Sequence, residues 1–222
     1  MQIEINSISK HFGSRSVLKD VCLQAQSGSC IGILGSNGSG KSTLLSILAG
    51  TVSCDGGSFL CDGLDLLKNR KRMGEFVGYV PQGTPLLEEL TVRDNLLLWY
   101  SRDRLRQELQ NGVLQLLGLD GMLSMPVRKL SGGMKKRLSI GCAVAKHPPI
   151  LLLDEPTAAL DMACKEAVTQ YLQRYKRSGG ILLLVTHEVP DLALCDRCYI
   201  LKDGLLVPYI FDGDMKHLLS CL

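Results

Sequence analysis

The run GSNGSGKST, residues 35–43, constrains the fold more than any other segment of this chain. A short apolar stretch precedes it at residues 31–34, and the helix formers KSTLLSILAG follow from Lys41. The run therefore joins a predicted buried strand to a predicted helix that ends near Gly50. This is the strand–loop–helix context that the phosphate-binding pattern G-x-x-x-x-G-K-[ST] requires. The sequence thus predicts an α/β core with a mostly parallel sheet.

The residue types in this loop suit a nucleoside triphosphate bound with Mg²⁺. Glycines let successive backbone N–H groups point at phosphate oxygens, and the positive end of the following helix adds attraction. We expect Lys41 to reach the β- and γ-phosphates and Ser42 to hold Mg²⁺. The predicted nucleotide contacts in the loop are Gly35, Ser36, Asn37, Gly38, Ser39, Gly40, Lys41, Ser42 and Thr43.

A second motif, ILLLDEP at residues 150–156, supplies two acids. Its apolar residues predict a buried strand that delivers Asp154 and Glu155 at its C-terminal end, where open α/β sheets bind ligands. We expect Asp154 to hold Mg²⁺ and Glu155 to polarise a water aimed at the γ-phosphorus. A helix start would also favour two acids. Beside the phosphate loop, the pair predicts a nucleoside triphosphatase, without choosing among kinases, GTPases, helicases and transport ATPases.

The segment LSGGM, residues 130–134, narrows this choice. It resembles the LSGGQ signature of the ABC ATPase family and lies between the phosphate loop and the acidic strand, as in that family. Further family elements match in order: an adenine-stacking aromatic at Phe12, the Q-loop glutamine at Gln82, a D-loop at Ala159, Leu160 and Asp161, and the switch histidine at His187. The resemblance covers essentially the whole chain. It implies a single domain, 1–222, with an antiparallel β lobe flanking the core and a helical subdomain at about 83–145.

The resemblance also implies roles for these residues. Two Mg-ATP molecules would lie between two such domains, with Ser131, Gly132 and Gly133 forming a second anion cradle at a helix start. That cradle would act on the nucleotide held by the other subunit, and Asp161 would join it. Gln82 would take part in catalysis and would also bind the metal ion, together with Asp154. The imidazole of His187 would hydrogen-bond the γ-phosphate and help to hold Glu155.

Structural alternatives stay open at four of these positions. Phe12 could be a core aromatic, Gln82 a turn residue, His187 a structural histidine and Asp161 only a helix N-cap. Two residues depart from the family pattern. Met134 replaces the signature glutamine, and Met162 stands where a proline commonly follows the D-loop aspartate. Neither change removes a charged or metal-binding group, so we expect hydrolysis to survive.

The sequence also predicts partners and location. No segment approaches the ~20 apolar residues of a spanning helix, and the N-terminus does not read as a signal peptide. We expect a cytoplasmic chain, peripheral at the membrane, that drives a separate transmembrane permease as a homodimer or as a heterodimer with another ABC ATPase. The apolar stretch 83–100 would either receive the permease or pack inside the subdomain. The alternative is a soluble assembly ATPase, such as one for iron–sulphur cluster biogenesis.

The remaining expectations concern charge, cysteines and secondary structure. The net charge of +3 is too small to imply nucleic acid, and none is expected. The basic clusters 68–72 and 135–137 should lie on a solvated or partner-facing surface. The nine cysteines should be reduced and mostly buried, and the pair Cys195 and Cys198 is weak evidence for zinc. Predicted elements are strands at 2–6, 17–25, 76–80, 150–154 and 181–185, a hairpin turn at Gly56 and Gly57, helices at 92–119 and 162–177, and a loop at 130–133 followed by a helix to about Lys146.

Overall fold

Two β-sheets and a set of short helices build the molecule. The computed structural model describes residues 1–158, 160–213 and 215–221. The strands are β1 Gln2–Phe12, β2 Arg15–Gln26, β3 Cys30–Leu34, β4 Gly56–Cys61, β5 Leu64–Asp65, β6 Val77–Val80, β7 Ile150–Asp154, β8 Ile181–Val185, β9 Arg197–Lys202 and β10 Leu205–Tyr209. The α-helices are α1 Lys41–Leu48, α2 Arg70–Phe76, α3 Val92–Leu97, α4 Arg102–Asn111, α5 Val113–Leu116, α6 Gly132–Ala143, α7 Met162–Arg177, α8 Val189–Leu192 and α9 Met215–Cys221. Two 3-10 helices, Asp120–Met122 and Val127–Lys129, precede α6.

The larger sheet has the strand order β10-β9-β3-β8-β7-β6. Its strands pair in parallel from β9 to β6, and β10 is antiparallel at one edge. The smaller sheet, β2-β1-β4-β5, is antiparallel. This confirms the predicted fold class, a mostly parallel α/β core with a flanking antiparallel lobe.

The buried strands of the larger sheet divide their side chains between two cores, because successive residues of a strand point to opposite faces. Leu151 and Leu153 of β7 face a core built with residues of α3–α6. Ile150 and Leu152 face a core built with β1, β2 and α1. The helix-rich stretch and the β lobe therefore cover opposite faces of the sheet, as a parallel sheet requires.

The predicted hairpin turn at Gly56 and Gly57 is wrong. Both glycines belong to β4, which pairs with β1 beside a register shift between Asn6 and Ser9. Gly57 has φ +98°, and a Cβ there would lie 2.6 Å from the carbonyl oxygens of Asn6 and Ser7. The glycine therefore permits a close approach between β4 and β1. In the sequence, glycines placed for such an approach look the same as glycines placed for a turn.

The long helix predicted at 92–119 is divided into α3, α4 and α5. Ser101 caps α4 by accepting a hydrogen bond from the backbone nitrogen of Arg104 at 3.4 Å. Gly112 has an extended backbone and separates α4 from α5. Serine and glycine thus act as breaks that the leucine pattern conceals.

Other element boundaries differ by a few residues. The strand predicted from Phe76 begins at Val77, because Phe76 ends α2. The helix after the signature begins at Gly132, inside the predicted loop, and ends at Ala143 rather than Lys146. The strands at 150–154 and 181–185 and the helix at 162–177 are confirmed.

All nine cysteines are free thiols, and five of them are buried, as the sequence predicts for most of them. The sulphur atoms of Cys30 and Cys195 lie 3.7 Å apart, beside Cys198. Among the described residues, no group of three or more His, Cys, Asp or Glu side chains is arranged to hold a metal ion. No helix in the described ranges combines the length and the apolar character that crossing a membrane needs.

The basic cluster 68–72 is exposed, as expected. In the second cluster the prediction is wrong for one residue, because Lys136 is buried with 5% of its surface exposed. Its neighbour Lys135 forms a surface ion pair with Glu88.

Candidate nucleotide site

The predicted phosphate loop links β3 to α1. Gly35 has φ +154°, and a Cβ there would lie 2.5 Å from the carbonyl oxygen of Leu201, so the position requires glycine. Gly40, with φ +109°, precedes the first residue of α1. That residue, Lys41, is 7% exposed, and its ammonium donates to the carbonyls of Gly35 (2.6 Å) and Ser36 (2.9 Å). The side chain of Lys41 thus folds back onto the phosphate loop to which it belongs.

Asp154 ends β7 beside this loop and is only 2% exposed. Burial raises the pKa of Asp154, against a hydrogen bond from Ser42 that lowers it. Burial also lowers the pKa of Lys41, while the charges of Glu155 and Asp154 raise it. The hydroxyl of Ser42 and the carboxylate of Asp154 are the hard oxygen ligands that Mg²⁺ prefers, and phosphates and waters usually complete such a site. These residues therefore fit the ion that the sequence predicts.

Glu155 is held in a defined position at the end of the same strand. Its carboxylate accepts a hydrogen bond from the Nε2 of Gln82 at 3.0 Å. Its backbone nitrogen donates to the carbonyl of Val185 at the end of β8 (2.8 Å). Its φ is +49°, an uncommon value for a residue other than glycine, and such outliers cluster at functional sites. Gln82 and Glu155 thus form a preformed pair.

His187 follows β8 at the same edge of the sheet. Burial and the positive charge of Lys41 lower its pKa, and the negative charge of Glu155 raises it. The loop that carries it is anchored beneath by Asp191, which is fully buried and accepts hydrogen bonds from the hydroxyls of Thr157 and Thr186, both at 2.8 Å. The loops after β7 and β8 are therefore tied together below the site.

The phosphate loop, Gln82 and the acids at the end of β7 border a cleft of about 530 Å³, which His187 does not line. Phe12 lies at its wall with 53% of its surface exposed, so it is not a core aromatic. The Nζ of Lys10 lies 5.2 Å from the centroid of the Phe12 ring. The cleft is lined by Phe12, Arg15, Val17, Asn37, Gly38, Gly40, Lys41, Ser42, Thr43, Gln82, Asp154 and Glu155.

The residues of the predicted second cradle, Ser131, Gly132 and Gly133, do not line this cleft. Ser131 is the N-cap of α6 and accepts from the backbone nitrogen of Met134 at 3.3 Å. Asp161 is the N-cap of α7 and accepts from the backbone nitrogen of Cys164 at 2.8 Å, so its predicted capping role is confirmed. Ala159, the first residue of the predicted D-loop, lies outside the described residues.

Comparison with known proteins decides the family. The sequence profile of ABC transporters matches residues 18–158. The chain belongs to the ABC transporter family. It carries the ATP-binding domain of that family, and the proposed soluble assembly ATPase is not favoured by the names of its relatives.

Two of these relatives are export proteins. The Nod factor export ATP-binding protein I of Sinorhizobium fredii is 34% identical over 207 residues, which cover 91% of this chain and 60% of the relative. The lipopolysaccharide export system ATP-binding protein LptB of Escherichia coli K12 is 32% identical over 213 residues, which cover 91% of this chain and 88% of the relative. This ABC chain therefore spans 60% of the length of the first relative.

A solved structure has the same fold. It is a dimeric ATP-binding cassette in a post-hydrolysis state, bound to ADP and Pi. The TM-score is 0.82 and the identity 28%, with 92% of this chain and 96% of the cassette covered.

Sequence reasoning missed three residues around the ABC site. Arg15 lines the cleft and donates to the carbonyl of Gly38 at 3.1 Å, and Val17 lines the cleft beside it. No local pattern marks either one. Lys136 reaches the site from α6, and the sequence around it contains a pattern that could have indicated its burial. It lies three and four residues before Ser139 and Ile140, on a helix face that is otherwise small or apolar.

Proposed function

We propose that this chain binds and hydrolyses Mg-ATP as the nucleotide-binding subunit of an ABC transporter, within one domain, 1–222, that contains the helical subdomain 83–145. The observation that carries the proposal is the convergence of Lys41, Ser42, Gln82, Asp154 and Glu155 on one cleft. Export is the direction that the names of the two relatives support.

The phosphates would lie along the loop at the N-terminus of α1, where the backbone N–H groups and the ammonium of Lys41 neutralise charge. On binding, Lys41 exchanges its bonds to Gly35 and Ser36 for phosphate oxygens. Ser42 and Asp154, with Gln82, would hold Mg²⁺, which supplies further positive charge at the phosphates. Adenine would stack on the exposed face of Phe12.

Glu155 acts on the attacking water. Its hydrogen bond to Gln82 and its fixed backbone aim the carboxylate, which orients the water or accepts its proton. Burial and the charge of Lys41 lower the pKa of His187, which favours the neutral imidazole, and the N–H of a neutral ring can donate one hydrogen bond to the γ-phosphate. Charge neutralisation and positioning of this kind account for most of phosphoryl-transfer catalysis.

The site is completed by a second ABC domain, either a copy of this chain or a homologue. Ser131, Gly132, Gly133 and Asp161 would contact the nucleotide held by the partner, and this proposal is consistent with their absence from the lining of the cleft in their own chain. The dimeric cassette bound to ADP and Pi supports the formation of a dimer.

A permease would dock on the apolar cleft of about 660 Å³ beside the Q-loop. Leu87, Leu98 and Trp99 line it and remain more than half exposed, while Leu96 and Tyr100 are buried in the subdomain. Packing inside the subdomain is therefore observed for Leu96 and Tyr100, and the exposed residues of the stretch 83–100 are free to receive the permease. A partly exposed apolar patch with an indole at its rim is typical of an interface.

Glu155→Gln tests the enzymatic part. We expect turnover to fall roughly 10²- to 10⁴-fold, because the variant loses its proton acceptor, while ATP binding persists. Glu88→Gln is the matched control, since it removes an exposed acid that pairs with Lys135. Normal turnover in Glu155→Gln would show that the assignment of this residue is wrong.

Affinity purification tests the transport part. Tagged Glu155→Gln protein is isolated from detergent-solubilised native membranes in Mg-ATP. We expect a polytopic membrane protein to co-purify. Recovery of soluble partners alone, with the chain absent from the membrane fraction, would replace the transporter with an assembly ATPase.

A further inference from the structure

Lys136 is a buried lysine that none of the predicted roles explains. It lies on α6, five residues after the signature serine Ser131, and its ammonium reaches the loops of the nucleotide site. It donates to the carbonyl oxygens of Pro81 at 2.9 Å, Gln82 at 3.1 Å and Asp154 at 3.4 Å.

The three acceptors match the three N–H donors of an ammonium, which makes burial of the charge tolerable. Burial lowers the pKa of Lys136, and the negative charges of Asp154 and Glu155 raise it. The residue thus occupies a site shaped for a cation with three donors. Lys135, one residue earlier, is different, because it is only partly buried and pairs with the exposed carboxylate of Glu88 at 2.6 Å.

The contacts of Lys136 hold the main chain at Gln82, a predicted catalytic residue, and at Asp154, a predicted metal ligand. It holds the carbonyl of Gln82, whose side chain donates to Glu155. It also holds the carbonyl of Asp154, the residue before Glu155. One side chain therefore fixes both ends of the Gln82–Glu155 pair to α6.

The helix supplies the mechanical link. Ser131 and Lys136 are five residues apart, about 7.5 Å along the axis of α6, and backbone hydrogen bonds join the turns between them. A displacement of the N-terminus of α6 is therefore carried to the carbonyls that Lys136 holds. In the proposed dimer, Ser131 contacts the nucleotide of the partner. This displacement of α6 would therefore accompany closure of the dimer.

We propose that Lys136 is a positioning residue that aligns the Gln82–Glu155 pair. When the nucleotide of the partner subunit binds Ser131, Lys136 transmits that contact to the site that hydrolyses ATP in its own chain. This inference rests on the proposed ATPase function and dimer. The ammonium of Lys136 would then couple the two half-sites of each chain, which are the nucleotide cleft and the signature segment at Ser131.

The test compares Lys136→Met, which removes all three donors at similar volume, with Lys136→Arg and with the matched control Lys135→Met. Four quantities are measured on the full chain: kcat, the Hill coefficient for ATP, the Kd of a fluorescent ATP analogue at concentrations that keep the chain monomeric, and the urea unfolding midpoint. Together they separate a positioning role from a loss of fold or of nucleotide affinity.

We expect Lys136→Met to lower kcat roughly 10- to 100-fold, since small misplacements of catalytic groups have effects of that size. The Hill coefficient should fall from about 2, the number of sites, toward 1. The Kd should stay within about threefold, Lys136→Arg should recover part of the rate, and Lys135→Met should match the wild type within about twofold.

A double-mutant cycle with Gln82→Ala adds a result that a merely structural role would not give. If Lys136 acts through the Gln82–Glu155 pair, the double variant is no slower than the slower single variant. Multiplicative losses would overturn the inference. So would a Lys136→Met variant with the wild-type kcat and Hill coefficient.

If Lys136→Met does not fold, Lys136→Gln retains two donors, and the inference requires its rate to lie below that of the wild type at equal Kd. An inactive wild-type chain would refute the proposed function itself, whereas an active wild type with an indifferent Lys136→Met would refute only this inference.

Discussion

Gly35 is the residue of the phosphate loop where a single methyl group should have the largest structural effect. Its φ of +154° lies in a region that side chains disfavour, which costs about 1–3 kcal/mol for alanine. The added Cβ would meet the carbonyl oxygen of Leu201 at 2.5 Å and the Oγ of Ser39 at 2.6 Å. Ser39 can rotate, but the carbonyl belongs to β9 and cannot, so overpacking adds about 1–3 kcal/mol.

The two contributions predict that Gly35→Ala lowers the free energy of unfolding by roughly 2–6 kcal/mol. Urea unfolding followed by circular dichroism measures this change, because the midpoint shift multiplied by the slope gives the free-energy difference. ATP binding should weaken in parallel, because Gly35 begins the loop along which the phosphates are proposed to lie.

Gly74→Ala is the matched control. Gly74 lies inside α2 with no atom within 4 Å of an added Cβ, so alanine should stabilise the chain by about 0.5–1 kcal/mol. The two glycine-to-alanine changes therefore have opposite predicted signs. A Gly35→Ala variant within about 1 kcal/mol of the wild type would refute the steric argument.

Three further results are expected. Trp99→Ala should lower the recovery of the permease about tenfold, because tryptophans at interfaces often carry much of the binding energy. The ATPase rate of the isolated chain should not change. Equal recovery would show that the indole is not part of the docking surface. Thr157→Val should lower the unfolding free energy by about 1.5–3 kcal/mol in urea titration, because Asp191 loses one of its two hydroxyl donors; a neutral result would mean that this buried contact contributes nothing. The lowered pKa of His187 means that the unfolded chain binds more protons there, so stability falls as the pH drops through 6.5 toward the folded value. His187→Gln should flatten the decline of the urea midpoint between about pH 7.5 and 5.5, and an unchanged decline would contradict the shift.

The sequence alone predicted the fold class and the principal site. The phosphate loop is one contiguous segment whose glycines, lysine and following helix create their geometry locally, so Lys41 and Ser42 could be placed without a tertiary structure. Asp154 and Glu155 could be placed because a buried strand of a parallel sheet delivers its last residues to the edge where the loop lies. Capping by Asp161 is also a local property.

Only the tertiary structure decided which distant residues support that site. Gly56 and Gly57 have the composition of a turn, yet their role is a close approach to a strand some fifty residues away in the chain. The basic run 135–137 has the composition of a surface, yet Lys136 is buried against three carbonyls from two other elements. Short-range patterns record the conformation of their own segment, whereas the partners of a buried polar group depend on how separate segments pack, and no local pattern encodes that.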